Sequence, residues 1–432
     1  MKRKLLVVQV AALGWDLVRR DQALVNEFGF RPADGVFPAL TCTAQATLRT
    51  GTLPSRHGMV ANGRFFPDLG KVMFWEQAAA LVDGPRIWDS AREQGQRVGM
   101  MFWQQSLGEC VDLVLSPKPV HKHSGGMILD CYSEPADLYE TLITRIGRPF
   151  PLMNYWGPLA GRKSSAWIVA AVSAVMADAA LAPDILFAYL PHLDYDLQRH
   201  GPDSAKATGA LVEGCAFLRE LRGGADLRGY DVLLVGDYAI GPVTGDAVFP
   251  NRALREAGLL NARAVTGRLY LDLFSSKAFA MVDHEIAHIY LLDPSCEAAA
   301  RSLLNGLPGV GEVLDRGGQE ELGVAHATSG GLVVTAAPGH WLAYPWWTDD
   351  AQAPDFARHI DIHNKPGFDP CELFWGWPPM SVSRDTRRVR GSHGRTGPDR
   401  KVAWSASWPV QPEPDSFFSV AAAVRAWLDR AS

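Results

Sequence analysis

Residues 36–62 read VFPALTCTAQATLRTGTLPSRHGMVAN. Pro38 makes a turn, Thr41 and Thr43 open a short helix, and Thr50-Gly51, Pro54 and His57-Gly58 punctuate the exit. The first N–H groups of a helix have no partner inside it and the helix dipole is positive there, so such a mouth favours an anion such as phosphate. Thr41 is therefore a candidate nucleophile facing a bound anion. The plainer role for Thr41 and Thr43 is capping, in which the hydroxyl accepts from a backbone N–H. The local residues leave both roles open.

Working outward, three short runs are largely apolar: Leu5 to Ala12, ILFAYLP at 185–191 and DVLLVGD at 231–237. Runs of this length fit strands buried on both faces of a parallel sheet. Helix-like stretches at 15–28, 166–180 and 204–222 alternate with them, and another runs from about Phe417 to Asp429. The alternation predicts an α/β fold, a mostly parallel central sheet flanked by helices. Ligands in such sheets sit outside the carboxyl ends of the strands, and Thr41, Asp194 and Asp237 follow strands or lie in the connections leaving them.

From 264 to 347 the rhythm changes. AHIYLLD reads as a strand, PSCEAAARSLLNGL as a helix, and VGEVLDR and GLVVTAAP as two more strands, with the Trp-rich WLAYPWW closing the segment. This order predicts a small inserted α+β cap subdomain at 264–347 on a core formed by 1–263 and 348–432. Phe74, Trp75, Phe102 and Trp103 are expected in the core, given the area each aromatic buries.

The 432 residues are 47% hydrophobic with a net charge of −5, so nothing in the charge points to a nucleic acid polymer. Six cysteines with no CxxC spacing argue for free thiols rather than a disulfide framework or a thiolate zinc site. MKRKLLVVQVAALGWD is read as a first strand rather than a signal peptide, which makes a cytoplasmic protein the expectation. No run approaches the roughly 20 apolar residues of a membrane span.

The second chemistry-bearing stretch is YLPHLDYDLQRHGPDS, 189–204, where Asp194 and Asp196 stand beside His192 and His200. Carboxylate and imidazole at a strand end can hold a divalent metal, and capping in a polar loop is the competing role. HIDIHNK offers His359, Asp361 and His363, and VDHEIAH offers Asp283, His284 and His288. His121 and His123 lie in a polar loop and are expected in solvent. Arg395, Lys365 and Lys163 are possible phosphate clamps.

The order Pro38, Thr41, Thr50-Gly51, Pro54-x-x-His57-Gly58 resembles the nucleophile segment of type I phosphodiesterases and nucleotide pyrophosphatases in the alkaline phosphatase superfamily. The resemblance extends from residue 5 to about 395. It implies an alkaline phosphatase-like fold and a Thr41 that attacks phosphorus in a phosphate ester, phosphodiester or diphosphate of a small molecule. It also implies one or two divalent ions, zinc first with manganese or iron as alternatives, held by Asp194, Asp237 and His393 (the last in VRGSHGR), with His363 as a further donor. Asp283, His284, His288, His192 and Tyr238 become candidate substrate contacts. Four positions depart from the pattern: Ala11-Ala12 stands for Asp-Gly, Ala44 for an Asn, Gln198 for a His and Tyr238 for a His. The alternative expectation is therefore a catalytically silent or repurposed member. Such a member would bind a phosphorylated or carboxylated small molecule, or run a non-hydrolytic reaction with a rearranged metal site.

Overall fold

The structure, a computed structural model, describes residues 3–361 and 364–431. An eight-stranded sheet forms the centre, in the order Arg31–Ala33, Val402–Ala406, Tyr230–Gly236, Lys4–Val10, Ile185–Leu190, Val98–Met101, Leu113–Pro117, Cys131–Glu134. The five strands from Tyr230–Gly236 to Leu113–Pro117 are parallel, and the strands beyond them pair antiparallel. Lys4–Val10 lies between two neighbours, and its residues from Leu5 onward are buried, as the unbroken apolar run requires. Each such side chain contributes about 1.5–3 kcal/mol by leaving water.

Helices Arg162–Ala177 and Ala205–Asp226 pack on one face of the sheet, while Thr41–Thr50 and Phe417–Ala431 pack on the other. The expected helix at 15–28 is two, Trp15–Val18 and Gln22–Phe28, because Asp21 caps the second by accepting from the amides of Ala23 and Leu24. Phe74, Phe102 and Trp103 are core residues, whereas Trp75 is only partly buried and faces a cleft.

Register places the chemistry. Val10 pairs with both Leu190 and Gly236, so Ala11, Pro191 and Asp237 leave the sheet side by side. Gly236 is required there, since a Cβ would collide with the Leu13 carbonyl. A second, antiparallel sheet runs Ala278–Asp283, Ile286–Leu291, Leu332–Ala336, Val310–Leu314, with helix Glu297–Asn305 against it. It shares one apolar cluster with Phe37, Leu40, Phe65 and Phe74 of the core segment. The tip of its first hairpin, His284-Glu285, reaches the segment after Gly391–Ser392: the Glu285 amide donates to the His393 carbonyl at 2.8 Å. No helix among the described residues is long and apolar enough to cross a membrane. All six cysteines are free thiols.

Candidate active site

A cleft of about 970 Å³, open to solvent, lies at the carboxyl ends of the parallel strands. Thr41, Asp194, Tyr238, His284 and His393 all line it. The helix Thr41–Thr50 starts after Leu40 with no side-chain cap, so the Thr41 hydroxyl does not close its own helix. It lies 3.3 Å from the Tyr189 hydroxyl and also supports that of Tyr238.

Beside it, Asn62 accepts from the Cys42 amide at 3.0 Å and donates from its own amide and side chain to Asp283 at 2.7 and 3.2 Å. Asp283 in turn accepts from His284 Nδ1 at 2.7 Å. Since a carboxylate only accepts, this fixes the proton on Nδ1 and leaves Nε2 as a lone pair. His284 Nε2 is buried and has no partner. Burial pushes the His284 pKa down to about 3, and it raises that of Asp283 to about 6 against the opposing hydrogen bonds from Asn62. His284 sits at φ 60°, a left-handed conformation at the hairpin tip that turns its ring onto Phe368 and His393, with centroids 3.9 and 3.8 Å away.

On the opposite side, Tyr238 lies flat against His393, centroids 3.5 Å apart and planes 2° from parallel. Its hydroxyl donates to Asp194 at 2.9 Å, and Gln198 Nε2 donates to the other Asp194 oxygen at 2.7 Å. Burial raises Asp194 to about 6, opposed by these two bonds. Asp237 sits beneath, fully buried, one oxygen taking the amides of Ala12 and Tyr238 and the other without a partner. Burial, with Asp194 nearby, pushes its carboxyl well above the usual range. His393 donates from Nδ1 to the Ala39 carbonyl at 2.8 Å, and burial drives its pKa well down.

The described residues do not by themselves make up the expected metal centre, and the further donor expected, His363, lies outside them. Both Asp194 oxygens already hold hydrogen bonds, from Tyr238 and Gln198, which stand where the pattern has histidines, while His393 Nε2 lies 3.9 Å from Asp194. Among the described residues no three His, Cys, Asp or Glu side chains converge as a metal would need. His393, which donates from Nδ1, keeps its Nε2 lone pair, and Asp237 has one unpartnered oxygen; with Asp194 bonded twice to protein, these two are fewer ligands than a zinc centre takes.

Other expectations fall elsewhere. His288 and His192 are absent from the cleft. His288 Nε2 donates to the Val60 carbonyl and Nδ1 accepts from the Gly330 amide, so it is a core histidine bonded to backbone. His192 donates to the Ala210 carbonyl and packs edge-on against Phe217. His121, His123, His200, His359 and Lys163 are exposed, and Asp196 sits 3.7 Å from Arg199. His363 lies outside the described residues. Of the possible clamps, Arg395 pairs with Glu285 at 3.6 Å, while Lys365 lines the cleft but is bonded to Asp369 at 2.8 Å and Glu372 at 2.6 Å.

Sequence reasoning named Gln198 only as a departure from the family pattern, and missed the roles of Asn62 and of Tyr189, which reaches Thr41 from a strand. Asn62 had a signal: it is the polar residue after the apolar Met59-Val60-Ala61, and a buried amide in that position calls for partners.

A mostly parallel sheet flanked by helices, with a cleft at its strand ends, defines an α/β protein of the alkaline phosphatase-like class. A profile of type I phosphodiesterase / nucleotide pyrophosphatase matches residues 5–369, and the chain belongs to that family of phosphodiesterase- and pyrophosphatase-type hydrolases. Similar solved structures include phosphonoacetate hydrolase from Sinorhizobium meliloti 1021 in complex with phosphonoformate, 15% identical, TM-score 0.64, covering 100% of this chain and 96% of that one. Murine ectonucleotide pyrophosphatase / phosphodiesterase 5 is 14% identical, TM-score 0.61, covering 99% and 95%. At these identities the likeness concerns the fold. No curated protein matches the sequence.

Proposed function

We propose that this chain is a repurposed member of its family, which holds a small molecule in the Thr41 cleft without two-metal hydrolysis. One observation carries the reading: Tyr238, at a position where the family pattern has a histidine, donates its hydroxyl to Asp194 and stacks its ring on His393, so a phenol donor stands where an imidazole ligand would be. A metal held by that Asp194 oxygen would have to displace the Tyr238 hydroxyl. The segment 264–347 acts in this reading as a cap whose hairpin tip, with Asp283 and His284, forms one wall of the site.

The second reading is metal-dependent hydrolysis of a phosphate ester, phosphodiester or diphosphate, with Thr41 as nucleophile and Asp194, Asp237, His393 and His363 around zinc. What favours it is Thr41 itself, at the first turn of a helix with its hydroxyl free of any capping bond. Turnover of p-nitrophenyl phosphate, bis(p-nitrophenyl) phosphate and ATP, with and without added zinc, manganese or iron, separates the two. The proposal expects no turnover above that of Thr41→Ala under any condition. Metal-stimulated hydrolysis that Thr41→Ala abolishes would overturn it.

A further inference from the structure

The chemistry of the cleft floor restricts what it can hold. Two buried groups face the cleft without partners, His284 Nε2 and Gln198 Oε1, each on a residue only 2% exposed. Both are acceptors, and neighbouring carboxylates make them so. Asp283 takes the Nδ1 proton of His284, and Asp194 takes the amide hydrogen of Gln198, so neither group can turn over to present a donor without losing that bond. A buried acceptor left unsatisfied costs about 1–3 kcal/mol, a cost that a ligand donating to it removes.

The charges agree with the hydrogen bonds. Among the described residues Lys365 is the one lysine or arginine that lines the cleft, and it is neutralised by Asp369 and Glu372; Asp194 adds a further carboxylate. A phosphate dianion offers only acceptors and negative charge. Apart from hydroxyls such as that of Thr41 it would meet acceptors and carboxylates, with no unpaired lysine or arginine among the described cleft residues to offset its loss of water. The walls are aromatic: Trp75, Tyr155, Trp156 and Phe368 offer ring faces or edges to an apolar surface.

We infer that the cleft takes an uncharged small molecule that points hydroxyl or N–H donors at His284 Nε2 and Gln198 Oε1 and lays an apolar face against the aromatic walls, in preference to its phosphorylated counterpart. This rests on the proposed function, because a bound metal would reverse the charge argument. It departs from the expectation of a phosphorylated or carboxylated occupant.

The test uses matched pairs on the full chain at neutral pH with chelator present: adenosine against AMP, myo-inositol against inositol monophosphate, and inorganic phosphate alone. Binding is read by ligand-observed NMR and by calorimetry. At least one uncharged member should bind, with its phosphorylated partner at least about tenfold weaker, a difference of about 1.4 kcal/mol. His284→Phe keeps a ring against Phe368 but deletes the acceptor, and Gln198→Leu deletes the other. Each should weaken the uncharged ligand by about tenfold, while circular dichroism verifies the fold. Equal or tighter binding of the phosphorylated members without metal overturns the inference and leaves the proposed function standing. Tight binding of them only after zinc is added overturns both. Failure of every uncharged probe to bind at millimolar concentration, or unchanged affinity in both variants, also overturns the inference.

Discussion

The two sides of the cleft differ. On the helix side, Thr41 stands at the first turn with Asn62 tying the next amide to Asp283, an arrangement with room for a ligand. On the strand-end side, Tyr238 donates to Asp194 and stacks on His393, and both Asp194 oxygens are held by protein partners. A site can therefore keep its attacking position while losing the groups that would make the attack productive. The geometry of the first comes from the fold, and the chemistry of the second from single side chains.

The largest effect should come from rebuilding the strand-end side. Gln198→His with Tyr238→His places two imidazoles beside Asp194, Asp237 and His393, and nitrogen and carboxylate donors are what zinc takes. The double variant should retain zinc stoichiometrically by elemental analysis where the natural chain does not. If both bind zinc equally, Tyr238 is no obstacle and the contrast between the two sides collapses.

Next is Tyr238→Phe, which keeps the ring on His393 but removes the hydroxyl from Asp194. Losing a hydrogen bond to a buried charge should lower stability by about 2 kcal/mol in chemical denaturation. A change within experimental error would mean that the Asp194 contact does not hold this side closed.

A smaller effect is expected in pH dependence. Asp194, raised from 3.8 to about 6, binds its proton more tightly folded than unfolded. Its contribution is complete below about 4 and is lost as pH rises through about 6. Comparing Asp194→Asn with the natural chain by thermal unfolding, the natural chain should lose stability relative to the variant across that interval and no further above it. A difference independent of pH would contradict the burial of that carboxyl.

The smallest effect belongs to the helix side. Thr41→Ala removes only the 3.3 Å contact to Tyr189 and the support of Tyr238. It should cost under about 1 kcal/mol, measured in the same denaturation experiment. A loss as large as that of Tyr238→Phe would make Thr41 a structural residue and remove the contrast.

Legibility in the sequence followed the same division. The strands at 4–10, 185–190 and 230–236 could be read because burial on both faces demands unbroken apolar runs. The strands Val98–Met101 and Leu113–Pro117 escaped because runs of four and five residues carry no distinctive period. At the site, Thr41, Asp194, Tyr238, His284 and His393 could be named from their motifs and do share one cleft. His288 and His192 could not be separated from them, since an imidazole bonded to a backbone carbonyl has the same letter as one facing a ligand. Nor could the stacking of Tyr238 on His393 be foreseen, because it joins residues 155 positions apart, and nothing in either segment names the other.

The central claim is that the chain's own side chains have closed the metal positions. Its most direct test is calorimetric titration of the purified natural chain with zinc, with elemental analysis before and after dialysis. The account predicts no saturable binding at micromolar zinc and no retained ion. One zinc per chain, lost on changing Asp194 and Asp237 to Asn, would contradict it.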